Sequence, residues 1–470
     1  MRNTRMPRLT LSLAALLALF GSPVKSADQD VFARPEALQP AIAFWTAVYS
    51  EIDSLAGFVH DNRDLGKVYE TLRFNWYDSP TLQEQQINTA VERYRSALQS
   101  LANGKREDLD QNEQKVLALW GNDVEVATLS TAADNLRFQR GQADRLREGI
   151  VRAGAWEQHI YRTLRNAGLP EALAVLPHVE SSYNPRVRSH VGAAGLWQFT
   201  RFTGRHYMRV DHVIDERLDP LVSTQAAARL LQRYHAKLGS WPLAITAYNH
   251  GLSGVRRAVR ELGSTDLGDI VQQYQGPRFG FASRNFYAAF IAANDVVSNA
   301  EKHFGVLERD VPDDYWIVRL PAYIEVGELV DHLKLDLKSL RSLNPALQEA
   351  VWEGSKYAPK GYPLRLPAAT ASATVKYVLN SVERFAEQVP DYYYTVRAGD
   401  TLSGIAQRHK QSVRDLMALN NFSSEHLIRA GDSLRLAIPA VPEKTRIAAM
   451  ERGGDDVETR QSSASLSEVK

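Results

Sequence analysis

Glu180 is the residue of this sequence that is best placed to perform acid–base chemistry. It lies in the stretch PHVESSYNPRVRSHVGAAGLWQF, residues 177–199, together with two glycines, two aromatic residues and a glutamine. A carboxyl group beside apolar neighbours is desolvated, and desolvation raises its pKa. A general acid that works near neutral pH needs such a raised pKa. The sequence therefore predicts Glu180 as a catalytic acid and base.

A helix has to position this carboxyl group. Pro170 followed by Glu171 is typical of a helix start, with proline at the first position and an acid in the first turn. The apolar residues that would share one face of this helix with Glu180 are Leu173, Leu176 and Val179. Pro177 would remove a backbone hydrogen bond from the helix interior, so we expect a kink there.

The residues that follow indicate a cleft for a ligand. Gly192 and Gly195 permit a ligand to approach the backbone closely, and the amide of Gln198 can bond to sugar hydroxyl or acetamido groups. For Trp197 and Phe199, packing in the core is favoured over stacking on a sugar.

A second segment, GSWPLAITAYNHG at residues 239–251, predicts a helix that begins at Pro242 and is capped at Gly251. Tyr248 and Asn249 would lie at the end of this helix. Their polar groups could reach the same cleft.

The two segments together resemble the catalytic domain of the lytic transglycosylases. The resemblance rests on the pattern E-S-x-Y-N-P-x-x-x-S-x-x-G-A-x-G-L-W-Q-F, followed about fifty residues later by A-Y-N-x-G. It implies a lysozyme-like, all-helical fold with Glu180 as the sole catalytic acid and base. It also implies that Ser189 and Gln198 line sugar subsites, and that Tyr248 and Asn249 orient the glycan or the glutamate.

The resemblance further implies a non-hydrolytic cleavage of peptidoglycan. Ordinary glycosidases use two carboxylates, whereas lytic transglycosylases use one together with the acetamido group of the substrate. The expected products are 1,6-anhydro-N-acetylmuramic acid ends. After Phe199 many members of the family have Met-Pro, where this chain has Thr200-Arg201. We therefore leave the substrate preference of the neighbouring subsite open.

Two other functions remain open on the sequence. A goose-type lysozyme would share the fold but use water. A non-catalytic cell-wall-binding scaffold would have lost the activity, which the presence of Glu180, Ser189 and Gln198 argues against. A metal hydrolase is disfavoured because the 12 histidines, among them His178, His190 and His250, form no His-Glu-x-x-His or similar spacing. We expect neither a metal nor a cofactor.

The C-terminal third contains an internal repeat. Residues 316–367 and 394–439 both read as strand, helix, helix, strand, and each has Leu-Asn near the end of the second helix and Gly-x-x-Leu-Arg-Leu at the last strand. The second copy resembles LysM, a small βααβ domain that binds glycans containing N-acetylglucosamine. The residues that this resemblance assigns to glycan binding are Gly399, Asp400, Thr401, Leu402, Leu427 and Ile428. The first copy lacks Gly-Asp-Thr-Leu, so we interpret it as a degenerate copy.

The predicted fold class is mainly α, with a lysozyme-like all-helical catalytic domain, an N-terminal helical region and small βααβ LysM modules. Between residues 28 and 150 we find no motif, and a charged turn is favoured over a site for His60, Asp61 and Asp64. The predicted boundaries are a signal peptide at 1–26, a helical accessory domain at 27–150, the catalytic domain at 151–310, the degenerate module at 316–367, a linker at 368–391, LysM at 392–439 and a disordered tail at 440–470.

Composition narrows the partners and the compartment. The chain has 470 residues, with 56 Lys and Arg against 55 Asp and Glu, which gives no support to a nucleic-acid partner. Arginines at positions 2, 5 and 8 precede an apolar run that is too short to span a bilayer, as in an export signal. The absence of cysteine excludes disulfides, thiolate sites and a lipidated cysteine. We expect an unlipidated periplasmic protein that binds peptidoglycan; a retained anchor, peripheral membrane association and protein partners stay open.

Overall fold

The structure is a computed structural model that describes residues 31–420, 422, 428–436 and 460–461. The predicted signal peptide, Leu427 and most of the predicted tail lie outside these residues. Within them no helix is both long and apolar enough to cross a membrane. The mainly α fold class is confirmed, because helices dominate and the strands form only small sheets.

The N-terminal region contains a three-stranded antiparallel sheet in the order β2-β1-β3, which the sequence analysis did not predict. The strand β1 is buried on both faces, so its sequence AGFVHD lacks the alternation that marks a half-exposed strand. The helices and strands here are α1 (Gln39–Ser50), β1 (Ala56–Asp61), β2 (Val68–Arg73), α2 (Pro80–Ala102), α3 (Gln111–Trp120), α4 (Val126–Asp134), β3 (Leu136–Arg140) and α5 (Ala143–Ala153).

The predicted charged turn is present, but it joins the two strands β1 and β2 in a region that was expected to be helical. His60 and Asp61 end β1 and are buried. The Asp61 carboxylate accepts hydrogen bonds from the backbone N–H groups of Arg63 at 2.7 Å and Asp64 at 2.9 Å, which shapes the turn. Burial lowers the pKa of His60 to about 4, so the ring is neutral at pH 7.

The first and last helices of the N-terminal region belong to the core of the catalytic helices. Side chains of α1 and α5, among them Trp45, Val48 and Ile150, share one apolar cluster with helices that follow residue 156. A separate core, which contains Tyr94 and Leu98, joins α2, α3 and α4 to one side of the sheet, whereas Ala56 and Phe58 of β1 belong to the catalytic cluster. Both ends of the predicted accessory domain at 27–150 therefore pack in the core of the catalytic helices.

The catalytic helices surround one buried helix, α13. Its 18 residues are apolar on nearly all faces, as expected for a helix at the centre of a bundle. The helices are α6 (Glu157–Asn166), α7 (Leu176–Ser181), α8 (Arg201–Gly204), α9 (Pro220–Leu238), α10 (Trp241–His250), α11 (Leu252–Leu262), α12 (Leu267–Gln273), α13 (Phe281–Ser298) and α14 (Ala300–Phe304), with 3₁₀ helices at Glu36–Leu38, Glu171–Val175 and Glu216–Leu218.

The predicted kinked helix before Glu180 is wrong. The chain forms the 3₁₀ helix Glu171–Val175 and then a new α-helix, α7, that begins at Leu176. Pro177 lies in the first turn of α7, where its missing N–H has no partner to lose. Proline therefore starts this helix instead of bending it.

The first repeat follows the catalytic helices and joins their surface. Its two strands pair antiparallel, with Trp316 opposite Leu366. The Asn344 side chain links the second helix to the last strand: its Nδ2 donates to the Arg365 carbonyl oxygen at 2.7 Å, and its Oδ1 accepts from the Arg365 N–H at 2.9 Å. The elements are β4 (Tyr315–Arg319), α15 (Val326–Leu333), α16 (Leu337–Leu343), α17 (Glu349–Trp352) and β5 (Pro363–Pro367).

The segment predicted as a linker is ordered. It forms α18 (Ser372–Ser381), whose Val375, Val378 and Leu379 pack in the core of the first repeat. Residues 382–388 form no helix, and Phe385 forms an antiparallel bridge with Tyr323. Val378 and Leu379 lie three and four positions after Val375, which is the spacing of one helix face, and this explains why residues 372–381 form the helix.

The second repeat has the predicted βααβ order and its own small core. Its Asn420 forms the same link as Asn344, with bonds of 2.7 Å to the Arg435 carbonyl oxygen and 2.6 Å from the Arg435 N–H. The elements are β6 (Tyr392–Thr395), α19 (Leu402–Arg408), α20 (Val413–Asn420) and β7 (Ser433–Leu436), and a last strand, β8 (Arg460–Gln461), pairs with β4 of the first repeat.

Candidate active site

Glu180 lies at the end of α7, next to a strained piece of backbone. Ser182 and Tyr183 follow with φ angles of 50° and 55°, in the left-handed region that non-glycine residues rarely adopt. Each such residue costs about 1–3 kcal/mol and persists only where its surroundings hold it. The Tyr183 hydroxyl donates to the Ala174 carbonyl oxygen at 2.7 Å, and the Ser181 hydroxyl donates to the Leu196 carbonyl oxygen at 2.8 Å. The position of Glu180 is thus fixed from both sides.

Helix α5 holds the same turn from the N-terminal side. Arg152 donates from Nε and Nη2 to the Ser182 carbonyl oxygen, at 3.0 and 2.8 Å. Gly149 makes this approach possible, because a Cβ atom there would lie 3.0 Å from the Ser182 carbonyl oxygen and 3.1 Å from Nδ1 of His178. The His178 ring is buried against Tyr183, and burial lowers its pKa to about 3. The neighbour of Glu180 is therefore a neutral histidine.

The Glu180 carboxyl group lines a cleft of about 410 Å³ and is half-buried. Burial raises its pKa to about 8, and no other cause contributes. Among the described residues no cation lies close enough to reverse this shift. At pH 7 the group is mostly protonated, as a proton donor has to be.

A buried arginine, Arg217, holds the loop between Glu180 and Phe199. Arg217 forms two 2.8 Å contacts with the Asp215 carboxylate, and its Nη1 donates to the carbonyl oxygens of Gly192 at 2.7 Å and Phe199 at 3.0 Å. Gly195 has a φ of 80°, and a Cβ atom there would lie 1.7 Å from the Arg217 carbonyl oxygen. Only glycine fits this position. Gly195 was predicted to let a ligand approach the backbone, but in the structure it lets the Arg217 backbone pack against the loop.

Tyr248 lies near Glu180, and Gln198 donates from Nε2 to the carbonyl oxygen of Val187, a residue of the cleft wall, at 3.2 Å. The Gln198 Nε2 donates to the Gly195 carbonyl oxygen at 2.8 Å, which leaves its Oε1 free of described partners. The Tyr248 hydroxyl donates to the Trp197 carbonyl oxygen at 2.7 Å. Burial, and then the charge of Glu180, raises the pKa of Tyr248, so the hydroxyl stays protonated.

Ser189 and Asn249 form bonds within the protein. The Ser189 hydroxyl accepts from the Ala193 N–H at 3.0 Å and closes the turn of the loop. The Asn249 Oδ1 accepts from the Ser283 hydroxyl on α13 at 2.9 Å. Their roles in sugar binding stay predictions.

The expected packing of the two aromatic residues in this loop is confirmed, since Trp197 and Phe199 are buried. The departure from the family pattern also has a local reason. Thr200 is the N-cap of α8, where its hydroxyl accepts from the Thr203 N–H at 3.2 Å.

In the second repeat, the Gly-Asp-Thr-Leu residues have structural roles. The Asp400 carboxylate accepts from the Arg397 N–H, the Tyr394 hydroxyl and Arg408, which lowers its pKa to about 2. The Thr401 hydroxyl caps α19. Leu402 is 1% exposed and its side chain packs in the core of the repeat, so its assignment to glycan binding stays a prediction.

Of the other residues assigned to glycan binding, Gly399 has a φ of 86° in the same loop. Ile428 packs against the core of the repeat.

Sequence reasoning missed the residues that the N-terminal region adds to the Glu180 cleft. Gln142, Arg145, Glu148 and Arg152 line it, all from α5 or the residue before it. The signal was present in the strongly amphipathic pattern of α5, but nothing in it pointed to a cleft. Glu148 is a second carboxylate, exposed and paired with Arg152 at 3.2 Å. Tyr49 on α1 also lies near, since burial and then the Glu180 charge raise its pKa.

Within the described residues, no three His, Asp or Glu side chains come together as metal ligands. The cleft thus contains the protonated Glu180 carboxyl group and, on its exposed side, Glu148 paired with Arg152. A protonated carboxyl group such as that of Glu180 can donate a proton to an oxygen of a bound ligand and take one back.

Comparison with known proteins identifies two domains. The model of the transglycosylase SLT domain matches residues 158–269, and the model of the LysM domain matches residues 394–437. The chain carries an SLT domain and a LysM domain. Glu180, Gln198 and Tyr248 fall inside the first match, and the Gly399–Leu402 loop falls inside the second.

Curated relatives carry the name lytic murein transglycosylase. Membrane-bound lytic murein transglycosylase D of Escherichia coli K12 is 27% identical over 303 residues, which cover 62% of this chain and 65% of the relative. Membrane-bound lytic murein transglycosylase F of Aeromonas hydrophila is 26% identical over 163 residues, or 31% of this chain and 32% of that protein. The chain thus spans just under two thirds of the length of the first relative.

A solved structure, the soluble lytic transglycosylase SLT70 from Escherichia coli, matches with 20% identity over 47% of this chain and 37% of that one. The TM-score of this match is 0.29.

Proposed function

We propose that this protein is a lytic transglycosylase. It cleaves the β-1,4 bond between N-acetylmuramic acid and N-acetylglucosamine in peptidoglycan and leaves 1,6-anhydro-N-acetylmuramic acid ends. The observation that carries the proposal is the Glu180 carboxyl group of the SLT domain, which desolvation keeps protonated in a cleft that residues of α5 also line. Gln198 supports it through its hydrogen bond to Val187 of the cleft wall, and Tyr248 supports it through its electrostatic interaction with Glu180.

The reaction uses the single carboxyl group twice. Glu180 first donates its proton to the glycosidic oxygen, and the bond from this oxygen to C1 of the muramic residue breaks while the acetamido group of that residue stabilises the positive charge at C1. The C6 hydroxyl of the same residue then forms a bond to C1, and the Glu180 carboxylate takes the hydroxyl proton. No water is consumed, and the enzyme returns to its starting state. A raised pKa suits both steps, since the group must hold its proton and recover it.

The neighbouring groups have separate tasks in this proposal. The Gln198 Oε1 accepts from a sugar hydroxyl or acetamido N–H, because its Nε2 is already bonded to the loop. The Tyr248 hydroxyl uses its hydrogen on Trp197, so towards the substrate it acts as an acceptor. Ser189 keeps the loop in shape, and its hydroxyl hydrogen can still reach a sugar oxygen.

The two repeats have different tasks as well. The second repeat holds the protein on glycan strands, whereas the first packs on the catalytic helices and binds no sugar. In the first repeat the loop that corresponds to Gly399–Leu402 is closed by bridges from Tyr323 to Phe385 and from Ile324 to Ala358. We place the protein in the periplasm after removal of residues 1–26, in contact with the cell wall.

Product masses test this proposal. Purified peptidoglycan sacculi are digested with the protein, and the released muropeptides are analysed by mass spectrometry. We expect muramic ends that are one water lighter than hydrolysed ends and that resist reduction by borohydride. If all new ends are reducing, the protein is a hydrolase of the goose-lysozyme type. If the folded wild-type protein binds sacculi but releases nothing, it is a binding scaffold.

A further inference from the structure

A second cleft, of about 730 Å³, lies beside the site and is lined by basic and aromatic side chains. Three arginines, Arg233, Arg257 and Arg278, line it together with His206 and His250. Three tyrosines add hydroxyl groups, and no Asp or Glu is present among the described residues of its wall. A concave surface lined by charges of one sign concentrates the electrostatic field and attracts ligands of the opposite sign.

The three arginines have no carboxylate partners in the described part of the chain. None of the ion pairs found there includes Arg233, Arg257 or Arg278. Arg233 contacts only the Tyr207 hydroxyl, at 3.5 Å. A guanidinium group offers two parallel N–H donors that match a carboxylate. These groups are thus available to an anionic ligand.

The cleft continues from the catalytic loop on two sides. His250 is the last residue of α10, two positions after Tyr248, which is about 3 Å along a helix axis. Phe202 and Thr203 on α8 follow directly after the loop that ends at Phe199, and both line the cleft. The Phe202 ring is 78% exposed. The segments that carry Phe199 and Tyr248 therefore continue directly into the wall of this cleft.

The glycan of peptidoglycan does not account for so much positive charge. Its sugars are neutral where the lactyl group is joined to a peptide stem, whereas the stem itself carries carboxylates. We propose that the basic cleft binds the stem carboxylates of the substrate, so that the protein prefers glycan strands that bear charged stems. This inference rests on the proposed function and concerns the peptide stem, the part of the substrate that the Glu180 cleft does not bind.

Two soluble substrates with the same glycan isolate this interaction. One is a muropeptide oligomer with intact stems, and the other is the same oligomer after its stem carboxylates have been converted to methylamides. The proteins are the wild type, the double variant Arg257→Gln/Arg278→Gln and the matched control Arg256→Gln. Arg256 lies on the same helix, α11, but outside the cleft wall.

For the wild type we expect kcat/KM to be higher on the intact oligomer by on the order of tenfold, the size of one charge-assisted hydrogen bond. The double variant should treat both oligomers alike, at the rate of the wild type on the amidated one. The control should behave as the wild type. Added salt should reduce the preference of the wild type, because exposed charges are screened.

Three outcomes would overturn the inference. Equal rates of the wild type on both oligomers would show that stem charge is not recognised. An equal loss on both oligomers in the double variant would assign the arginines to the glycan or to the fold. Weaker binding of the double variant to vesicles of phosphatidylglycerol, with the stem preference unchanged, would assign them to a lipid surface. If the wild type cleaves neither oligomer, the proposed function itself fails.

Discussion

The two repeats are the same module in two different surroundings. Asn344 in the first and Asn420 in the second make the same bonds to the last strand, so the internal link of the module is kept in both. The first repeat shares its core with Val213 and Ile214 of the catalytic region. The core of the second repeat contains only its own residues.

The equivalent arginines of the two repeats show the consequence of this difference. Arg365 forms a 2.7 Å ion pair with Asp219 at the start of α9, and the two side chains are only 10% and 4% exposed. Arg435 pairs with Asp391 at 3.1 Å, with both side chains about a quarter exposed. The Arg365 pair therefore ties the first repeat to the catalytic helices through a buried contact, whereas the Arg435 pair joins the second repeat to the residue directly before β6 and is partly exposed to water and salt.

The first repeat also forms backbone hydrogen bonds with residues 213 and 215, which support the loop between Glu180 and Phe199. Its Ala346 carbonyl oxygen accepts from the Asp215 N–H at 2.8 Å, and Gln348 donates to the Val213 carbonyl oxygen at 3.0 Å. Asp215 in turn holds Arg217, which bonds to both ends of the loop. A copy of a binding module thus supports the loop that carries Gln198.

The largest difference between the repeats should be seen with the paired variants Arg365→Met and Arg435→Met. Removing Arg365 leaves the Asp219 carboxylate buried without its cation, which costs about 3–5 kcal/mol of unfolding free energy. Removing Arg435 should cost about 0–1 kcal/mol, because the pair is partly exposed and Asp391 keeps Lys356 at 2.9 Å. Urea unfolding followed by tryptophan fluorescence measures both. Equal losses would mean that the two repeats are attached alike.

The pH dependence of stability should also differ between the catalytic unit and the second repeat. Glu180 has a pKa of about 8 in the fold against 4.5 unperturbed, so its contribution is fully present below pH 4.5 and is lost as the pH rises towards 8. Asp400 has its pKa lowered to about 2, so its contribution is present above pH 3.8 and is lost as the pH falls towards 2.

Calorimetry at several pH values tests this opposition. Between pH 5 and pH 8 the melting temperature of the catalytic unit should fall in the wild type more than in Glu180→Gln. Asp400→Asn should instead remove part of the acid-side loss of the second repeat. Parallel curves of the wild type and Glu180→Gln over the neutral range would contradict the raised pKa of Glu180.

A smaller effect is expected when the second repeat is removed by ending the chain after Pro390. A tethered glycan binder raises the local concentration of an insoluble substrate, so its loss should weaken sedimentation with sacculi on the order of tenfold. Turnover of a soluble oligomer should scarcely change, because Glu180, Gln198 and Tyr248 remain. Unchanged sedimentation would argue against a targeting role. A parallel loss of soluble turnover would show that the second repeat also supports the catalytic fold.

The site was predictable from the sequence where a local pattern determines it. Glu180, Gln198 and Tyr248 lie in two short segments, and the helix end at Gly251 follows from local glycine chemistry. Pro177 was wrongly predicted to kink a helix. Whether a proline lies inside a helix or in its first turn depends on where the preceding helix ends. That boundary depends on the 3₁₀ helix before it, which no local pattern indicates.

The contributions of distant segments could not be predicted in the same way. Tyr49, Glu148 and Arg152 reach the Glu180 cleft only because α1 and α5 pack into the catalytic core. Likewise, Asp219 and Arg365 are 146 residues apart in the sequence, and no residue pattern near either of them indicates that they form an ion pair. The segment at 372–381 was predicted as a linker because its small and polar first residues drew attention away from the apolar face of Val375, Val378 and Leu379.

The most direct test of the central claim, that one carboxyl group carries the reaction, compares Glu180→Gln with Glu148→Gln on a soluble muropeptide oligomer. Both variants remove one carboxylate from the same cleft, and circular dichroism checks that each is folded. We expect Glu180→Gln to lose nearly all formation of anhydro ends and Glu148→Gln to keep most of it. A comparable loss in both would indicate a two-carboxylate mechanism, and an active Glu180→Gln would contradict the account.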